Sequence, residues 1–281
     1  MANEKNTGTG LRLLFSILFY CFLAIVLPSP SASGKPFSAN SPQPQNCQLK
    51  YGWNQWPPLQ YVNNNQEVKG IQIEFVKAIV ESLGCELTLV ERSWNEVING
   101  IENGDIDFTA NASVTTARKS YAYFSLPYRK DLFSIWVKRE DKALYSRNTL
   151  AEFKQTKVKL GLIKNQYYGP LVESLKSDPS FSQNITLFDT NNALLASFIN
   201  SEIDAMIEDP FVMAYRKRVE KIDSHLSRVP IDFLGSEVGF MFSKKTTTAE
   251  FVNRFNLKMR ELKDSNVFQS IWLDPELVDK F

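Results

Sequence analysis

Between Gly100 and Tyr128 the chain reads GIENGDIDFTANASVTTARKSYAYFSLPY, whose middle is rich in small hydroxyl residues and is followed by an arginine. Apolar spacing predicts a helix end, a turn, a short buried strand over 108–112, a polar corner from Asn111 to Thr116, and a new helix. Arg118 falls in the first turn of that helix. Backbone N–H groups left free at a helix start, hydroxyl donors and a planar guanidinium together suit a small carboxylate. An arginine is unfavourable beside the positive end of a helix dipole, so its place here suggests an anion that joins it. The plainer reading of the same residues is an exposed helix arginine paired with a surface acid.

Asp209 stands before Pro210, the pattern of a helix N-cap with proline at the first helical position, and a cap can also face a cleft. Glu208 adjoins it, and neighbours on a strand point opposite ways, so one of the two faces elsewhere. Groups for covalent or metal chemistry are sparse. The single histidine, His225, lies in a polar loop, and the sequence holds no G-x-S-x-G, metal-ligand spacing or P-loop. No cofactor is expected.

The elements that must position these groups alternate. Strands are predicted at 48–53, 86–91, 159–163, 185–188 and 205–208, with helices between them. In one helix Val76, Ile79, Val80 and Leu83 share a face before Gly84; in another Trp94, Val97, Ile98 and Ile101 do so after Ser93. Such alternation implies parallel sheets with helices on both sides, an α/β fold. Ligands in such sheets bind beyond the carboxyl ends of the strands. Trp56, Trp94, the 111–118 corner, Tyr167 and Asp209 all follow predicted strands.

A net charge of +1 and 43% hydrophobic residues fit a globular protein and give no electrostatic case for nucleic acid. Lys5 and Arg12 precede an apolar run over 13–27 and small residues at 31 and 33, which reads as a signal peptide over 1–33. Residues 34–46 read as a flexible leader. Export would leave Cys47 and Cys85 as the two cysteines of an oxidised chain, which suggests a disulfide; two buried thiols are the alternative. No second apolar stretch of membrane length follows, so a soluble exported protein is expected.

Gly104-Asp-Ile-Asp107, the run from Ser113 to Arg118 and Phe124-Ser-Leu-Pro-Tyr128 resemble the signature of the family 3 extracellular solute-binding proteins. Trp56-Pro57-Pro58, Gly70-Ile71-Gln72-Ile73-Glu74 and the segment 203–209 resemble further family motifs, in order, from about Leu49 to about Trp272. The resemblance implies a periplasmic binding protein-like fold: two Rossmann-like α/β lobes joined by two hinge strands, Leu132–Val137 and Val238–Phe242. The lobes would be 47–136 with 238–281, and 137–237. It implies a periplasmic monomer that captures an amino acid or similar zwitterion for an inner-membrane ABC permease. Residue by residue, Arg118 and Ser113 carry over as carboxylate contacts, with Asn111 as an additional contact, and Asp209 as the partner of the ligand ammonium. Trp56 and Trp94 carry over as the aromatic clamp. Trp53 stands where receptors for basic amino acids have an aspartate, which counts against lysine or arginine as ligand. Lys164-Asn165-Gln166-Tyr167 replaces a common Gly-Thr pair, which places Tyr167 or Tyr168 near the ligand.

Two other classes share this fold. One is an exported cyclohexadienyl or arogenate dehydratase, for which Glu208 would be the general acid. The other is a ligand-sensing module, disfavoured by the lack of a second membrane segment. The signal-peptide reading makes the first prediction: intact-mass analysis of the exported protein shows residues 1–33 removed, and retention of that segment refutes it.

Overall fold

A computed structural model describes residues 47–145, 149–266 and 270. The signal peptide and leader lie outside the described residues, as does most of the segment 267–281. In chain order the elements are β1 (Gln48–Trp53), β2 (Tyr61–Val62), β3 (Val68–Lys69), α1 (Ile71–Ser82), β4 (Glu86–Glu91), α2 (Trp94–Asn103) and β5 (Phe108–Ser113). There follow α3 (Thr116–Tyr121), β6 (Ala122–Phe124), β7 (Arg129–Lys138), α4 (Lys142–Tyr145), α5 (Leu150–Lys154), β8 (Leu160–Ile163) and α6 (Pro170–Ser177). The chain continues through β9 (Ile185–Phe188), α7 (Asn191–Ile199), β10 (Ala205–Glu208), α8 (Pro210–Val219), β11 (Leu226–Ser243) and α9 (Ala249–Lys263).

Nine strands form a mixed sheet in the order β4-β1-β5-β11-β7-β10-β8-β9, with β6 paired on β11, while β2 and β3 pair with each other. This is a mixed α/β fold of the periplasmic binding protein type. The first lobe packs β1 and β5 against α1 and α9, around Tyr51, Phe75, Phe108, Phe240 and Phe255. The second packs β8 and β10 against α6, around Phe133, Leu160, Tyr168 and Phe181. Between them β7 and β11 run antiparallel, from Leu226↔Lys138 to Val238↔Arg129. The sequence shows only the Val238–Phe242 end of β11. Pro230 and Gly235 interrupt its apolar pattern, and the ladder shifts register between Arg228 and Asp232 and between Leu234 and Glu237. No helix among the described residues is long and apolar enough to cross a membrane.

Local chemistry accounts for the helix starts that matter below. Ser93 accepts from Glu96 N–H while the Glu96 carboxylate accepts from Ser93 N–H, a capping box that puts Trp94 in the first turn of α2. Thr190 caps α7 and sets Asn191 in its first turn.

Parallel pairing of β1 with β4, Gln48↔Glu86 onward, brings their N-terminal ends together, and Cys47 and Cys85 are bridged there with Cα atoms 4.6 Å apart. Replacing both cysteines with serine should lower unfolding free energy by about 3 kcal/mol. Urea titration measures it; an unchanged midpoint would mean that the first lobe does not depend on the bridge.

Candidate functional site

The strand ends of both lobes converge on a small inner cavity. Trp56, Trp94, Phe133 and Tyr168 form its aromatic walls; Glu208 is the one charged side chain among its lining residues. Amide side chains line the rest, those of Asn54, Gln60, Asn111, Gln166 and Asn191. Trp56 is held by a tight corner: its N–H donates to Gln60 O at 2.7 Å and its carbonyl accepts from Leu59 N–H at 2.9 Å. Gly70 lets that corner sit on α1. It has φ 127°, and a Cβ there would lie 2.3 Å from the Leu59 carbonyl oxygen.

Glu208 ends β10 and is buried. Its Oε1 accepts from Trp56 Nε1 at 3.1 Å and from Asp209 N–H at 2.9 Å, and its Oε2 accepts from Asn191 Nδ2 at 2.8 Å. Burial pushes the Glu208 pKa up, and these donors pull against it. Asn111, with φ 53°, presents a buried Nδ2 without a hydrogen-bond partner, while its N–H and Oδ1 are engaged by the Tyr128 hydroxyl. That amide is an uncommitted donor at the cavity wall.

Arg118 lies outside this inner wall and lines a second, mouth cavity with Tyr121, Tyr167 and Glu173. Its guanidinium stands over the Trp94 ring at 5.6 Å. Nη1 donates to Ser113 O at 3.1 Å and Nη2 to Asn165 O at 2.7 Å. Trp94 Nε1 donates to the same Asn165 carbonyl at 3.2 Å. Burial lowers the Arg118 pKa, with Tyr121 beside it opposing the shift. Gln166 lines both cavities.

Residues 49–271 match the bacterial extracellular solute-binding proteins, family 3. The chain belongs to this family. It is 23% identical over 138 residues to the L-cystine-binding protein of Escherichia coli (strain K12), covering 46% of this chain and 51% of that protein. It is 27% identical over 77 residues to the cyclohexadienyl dehydratase of Pseudomonas aeruginosa, covering 27% and 29%. The chain thus spans about half or less of the length of these curated relatives. An ancestral arginine-binding protein bound to arginine shares the fold with a TM-score of 0.70 at 23% identity, covering 81% of this chain and 97% of that one.

Within this family's fold the expected residues fall into three places. Trp56, Trp94 and Asn111 meet at the inner cavity. Arg118 and Tyr167 sit at the mouth, and Tyr168 rather than Tyr167 reaches the inner wall, its hydroxyl accepting from Ile163 N–H at 2.8 Å. Three assignments need correction. Trp53 belongs to the first core, because strand alternation turns it with Tyr51 onto that face; its Nε1 has no partner. Asp209 is turned away by its own cap: Oδ1 accepts from Phe211 N–H at 2.8 Å and Oδ2 from Arg129 at 2.6 Å, leaving Glu208 to face the cavity. Ser113 is buried and offers Arg118 its carbonyl, not an N–H toward a ligand. Asn54, Gln60, Gln166 and Asn191 were missed, although each follows a predicted strand, a position that could have signalled them.

Behind Glu208 lies a charged triad at the crossover of the two lobes. Arg129 on β7 donates to Asp131 Oδ1 at 3.0 Å and to Asp209 Oδ2 at 2.6 Å, and packs 5.7 Å from the Trp56 ring. Asp131 is 1% exposed and its Oδ2 has no partner among the described residues. Burial pushes its pKa up to about 6, Arg129 opposing and Asp209 adding to the shift. A carboxyl held above its unfolded value of roughly 3.9 contributes stability when protonated, an effect complete below that value. The contribution is lost as pH rises through about 6. Asp131→Asn keeps the shape without ionising, so it should gain on the parent by up to roughly 3 kcal/mol between about pH 4 and 7. Urea titrations across that range measure the difference, and one that stays flat with pH would count against a costly charge at Asp131.

Proposed function

We propose that this chain captures a small zwitterion of the amino-acid class between its two lobes and delivers it to an inner-membrane ABC permease. The observation that carries this reading is Glu208. One acidic group, walled by Trp56, Trp94 and Tyr168 and set among amides, suits a ligand ammonium attached to an apolar or planar body. Arg118 at the mouth is the cation that would receive the carboxylate, exchanging the Asn165 carbonyl for it. A ligand placed so touches both lobes and favours the arrangement in which they meet. The permease would read that arrangement, in the periplasm to which a cleaved signal peptide delivers the chain.

A dehydratase on the same fold would need Glu208 to carry and give up a proton. The three hydrogen-bond partners of that carboxyl are all donors, which pull toward the anion that binding needs, while burial pulls toward the neutral acid that catalysis needs.

A thermal-shift screen of the purified protein against free amino acids should find at least one that raises the melting temperature. For that ligand, calorimetry should show Glu208→Gln and Arg118→Ala each weakening binding by about ten- to a hundredfold, the loss of one charge-assisted contact. Arg118→Lys should fail as well, since an ammonium cannot reproduce the planar two-point grip. Near-parent affinity in both Glu208→Gln and Arg118→Ala would place the ligand elsewhere, and turnover of prephenate or arogenate would favour the enzyme.

A further inference from the structure

The amides of the inner cavity form a chain with a direction. The Tyr51 hydroxyl donates to Gln60 Oε1 at 2.9 Å, and Gln60 Nε2 donates to Asn54 Oδ1 at 3.3 Å. Asn54 Nδ2 donates to Asn191 Oδ1 at 3.3 Å, and Asn191 Nδ2 donates to Glu208 Oε2 at 2.8 Å. Tyr51, Gln60, Asn191 and Glu208 are buried, and Asn54 is half-buried. The chain crosses from the first lobe to the second at the Asn54–Asn191 step.

An amide can present either its oxygen or its nitrogen to a neighbour, so its orientation follows from the partners at each end. Here both ends are set. Burial raises the Tyr51 pKa well above its ordinary value, so its hydroxyl keeps its proton and can donate. At the other end Glu208 takes donors from Trp56, Asp209 and Asn191. With the ends fixed, each amide between them must point its NH₂ toward Glu208. Hydrogen bonds aligned in one sense polarise one another, so the last donor is strengthened by those before it.

We propose that Asn191, oriented by this relay, is the positioning residue that favours the anion of Glu208 against its burial and so sets the inner cavity to take a cationic N–H group. The inference rests on the proposed function for what the cavity takes, but not for the relay itself. Other groups bear on Glu208. Tyr168 faces it from the segment before α6, and Asp209 follows it, tied to Arg129 and hence to Asp131 on β7. Arg216 on α8 donates to the Asn191 carbonyl at 3.4 Å and pairs with Glu220. Burial, the largest effect, and the Asp209 charge favour a proton on Glu208, and the donors from Asp209 N–H, Asn191 and Trp56 oppose them. Asn191 also spends only one of its two N–H donors on the relay, leaving the other for a ligand.

The test reads Glu208 without any ligand. In the full-length chain with ¹³C-labelled glutamate carboxyls, the Glu208 signal is assigned by its loss in Glu208→Gln and followed through a pH titration. Asn191→Ala should move the Glu208 titration upward. Tyr51→Phe, a change of one buried oxygen at the far end, should move it in the same direction by less. The double variant should match Asn191→Ala alone, because both substitutions act through one chain. Should Asn191→Ala not fold, Asn54→Ala breaks the relay at the lobe crossing and should give the upward shift. A merely structural role for these residues would lower the melting temperature and leave the titration in place. That result, or a Tyr51→Phe shift that adds in full to that of Asn191→Ala, overturns the proposal. Because no ligand enters the experiment, its outcome is separate from that of the amino-acid screen.

Discussion

The antiparallel ladder between β7 and β11 constrains everything else in this molecule. Both strands run through the crossover between the lobes: β11 pairs β5 and β6 at one end, while β7 pairs β10 at the other. The two halves of the sheet are therefore joined by a backbone hydrogen-bond ladder, broken at two register shifts, rather than by a loose linker. Any relative motion of the lobes must bend this ladder, and its register irregularities lie where bending costs least, at 228–232 and 234–237. Asp131 packs against that second irregularity: a Cβ on Gly235 would come within 2.7 Å of its own. Its partner Arg129 reaches Asp209 in the second lobe, so the crossover carries the ion pair that turns the acidic pair on β10 and α8.

That turn decides the character of the cleft. Two adjacent acids, Glu208 and Asp209, could each have faced it. Pro210 and the Phe211 N–H make Asp209 a cap, and Arg129 then compensates its buried charge. A buried charge without such a partner is costly. Among the described residues Glu208 has no cationic partner and is supported by donors, one of which, Trp56, comes from the opposite lobe, while Asn54 of that lobe reaches it through Asn191. The cavity acid and the approach of the lobes are thus coupled: the first lobe supplies part of what makes the charge tolerable.

Family membership and this geometry bear on different questions. Likeness across 49–271 establishes the kind of protein, while relatives near one quarter identity include both an L-cystine-binding protein and a cyclohexadienyl dehydratase. Fold therefore does not choose between them. The choice turns on whether one carboxyl carries a proton, a matter of which atoms donate to it. It also turns on where Arg118 stands. Its guanidinium is shared between two backbone carbonyls and an indole face at the cavity mouth, one layer out from the place a sequence motif would suggest.

Much of the framework was legible in the chain itself. The strands at 48–53, 86–91, 185–188 and 205–208 and the helix start after Ser93 depend on local periodicity and hydrogen bonding, which a short window contains. A bridge between Cys47 and Cys85 was suggested by the chain but left open against two buried thiols, and the parallel strand starts close it. What the chain could not show was direction across space. Trp53 and Trp56 are three residues apart, yet one enters the core and the other the cleft, because the first is still on the strand and the second is past its corner. Glu208 rather than Asp209 meets the cavity because Arg129, 80 residues earlier, holds the other. The Asn54–Asn191 step joins residues 137 apart. Side-chain orientation at a cleft is set by partners that only folding brings near, and no local pattern records them.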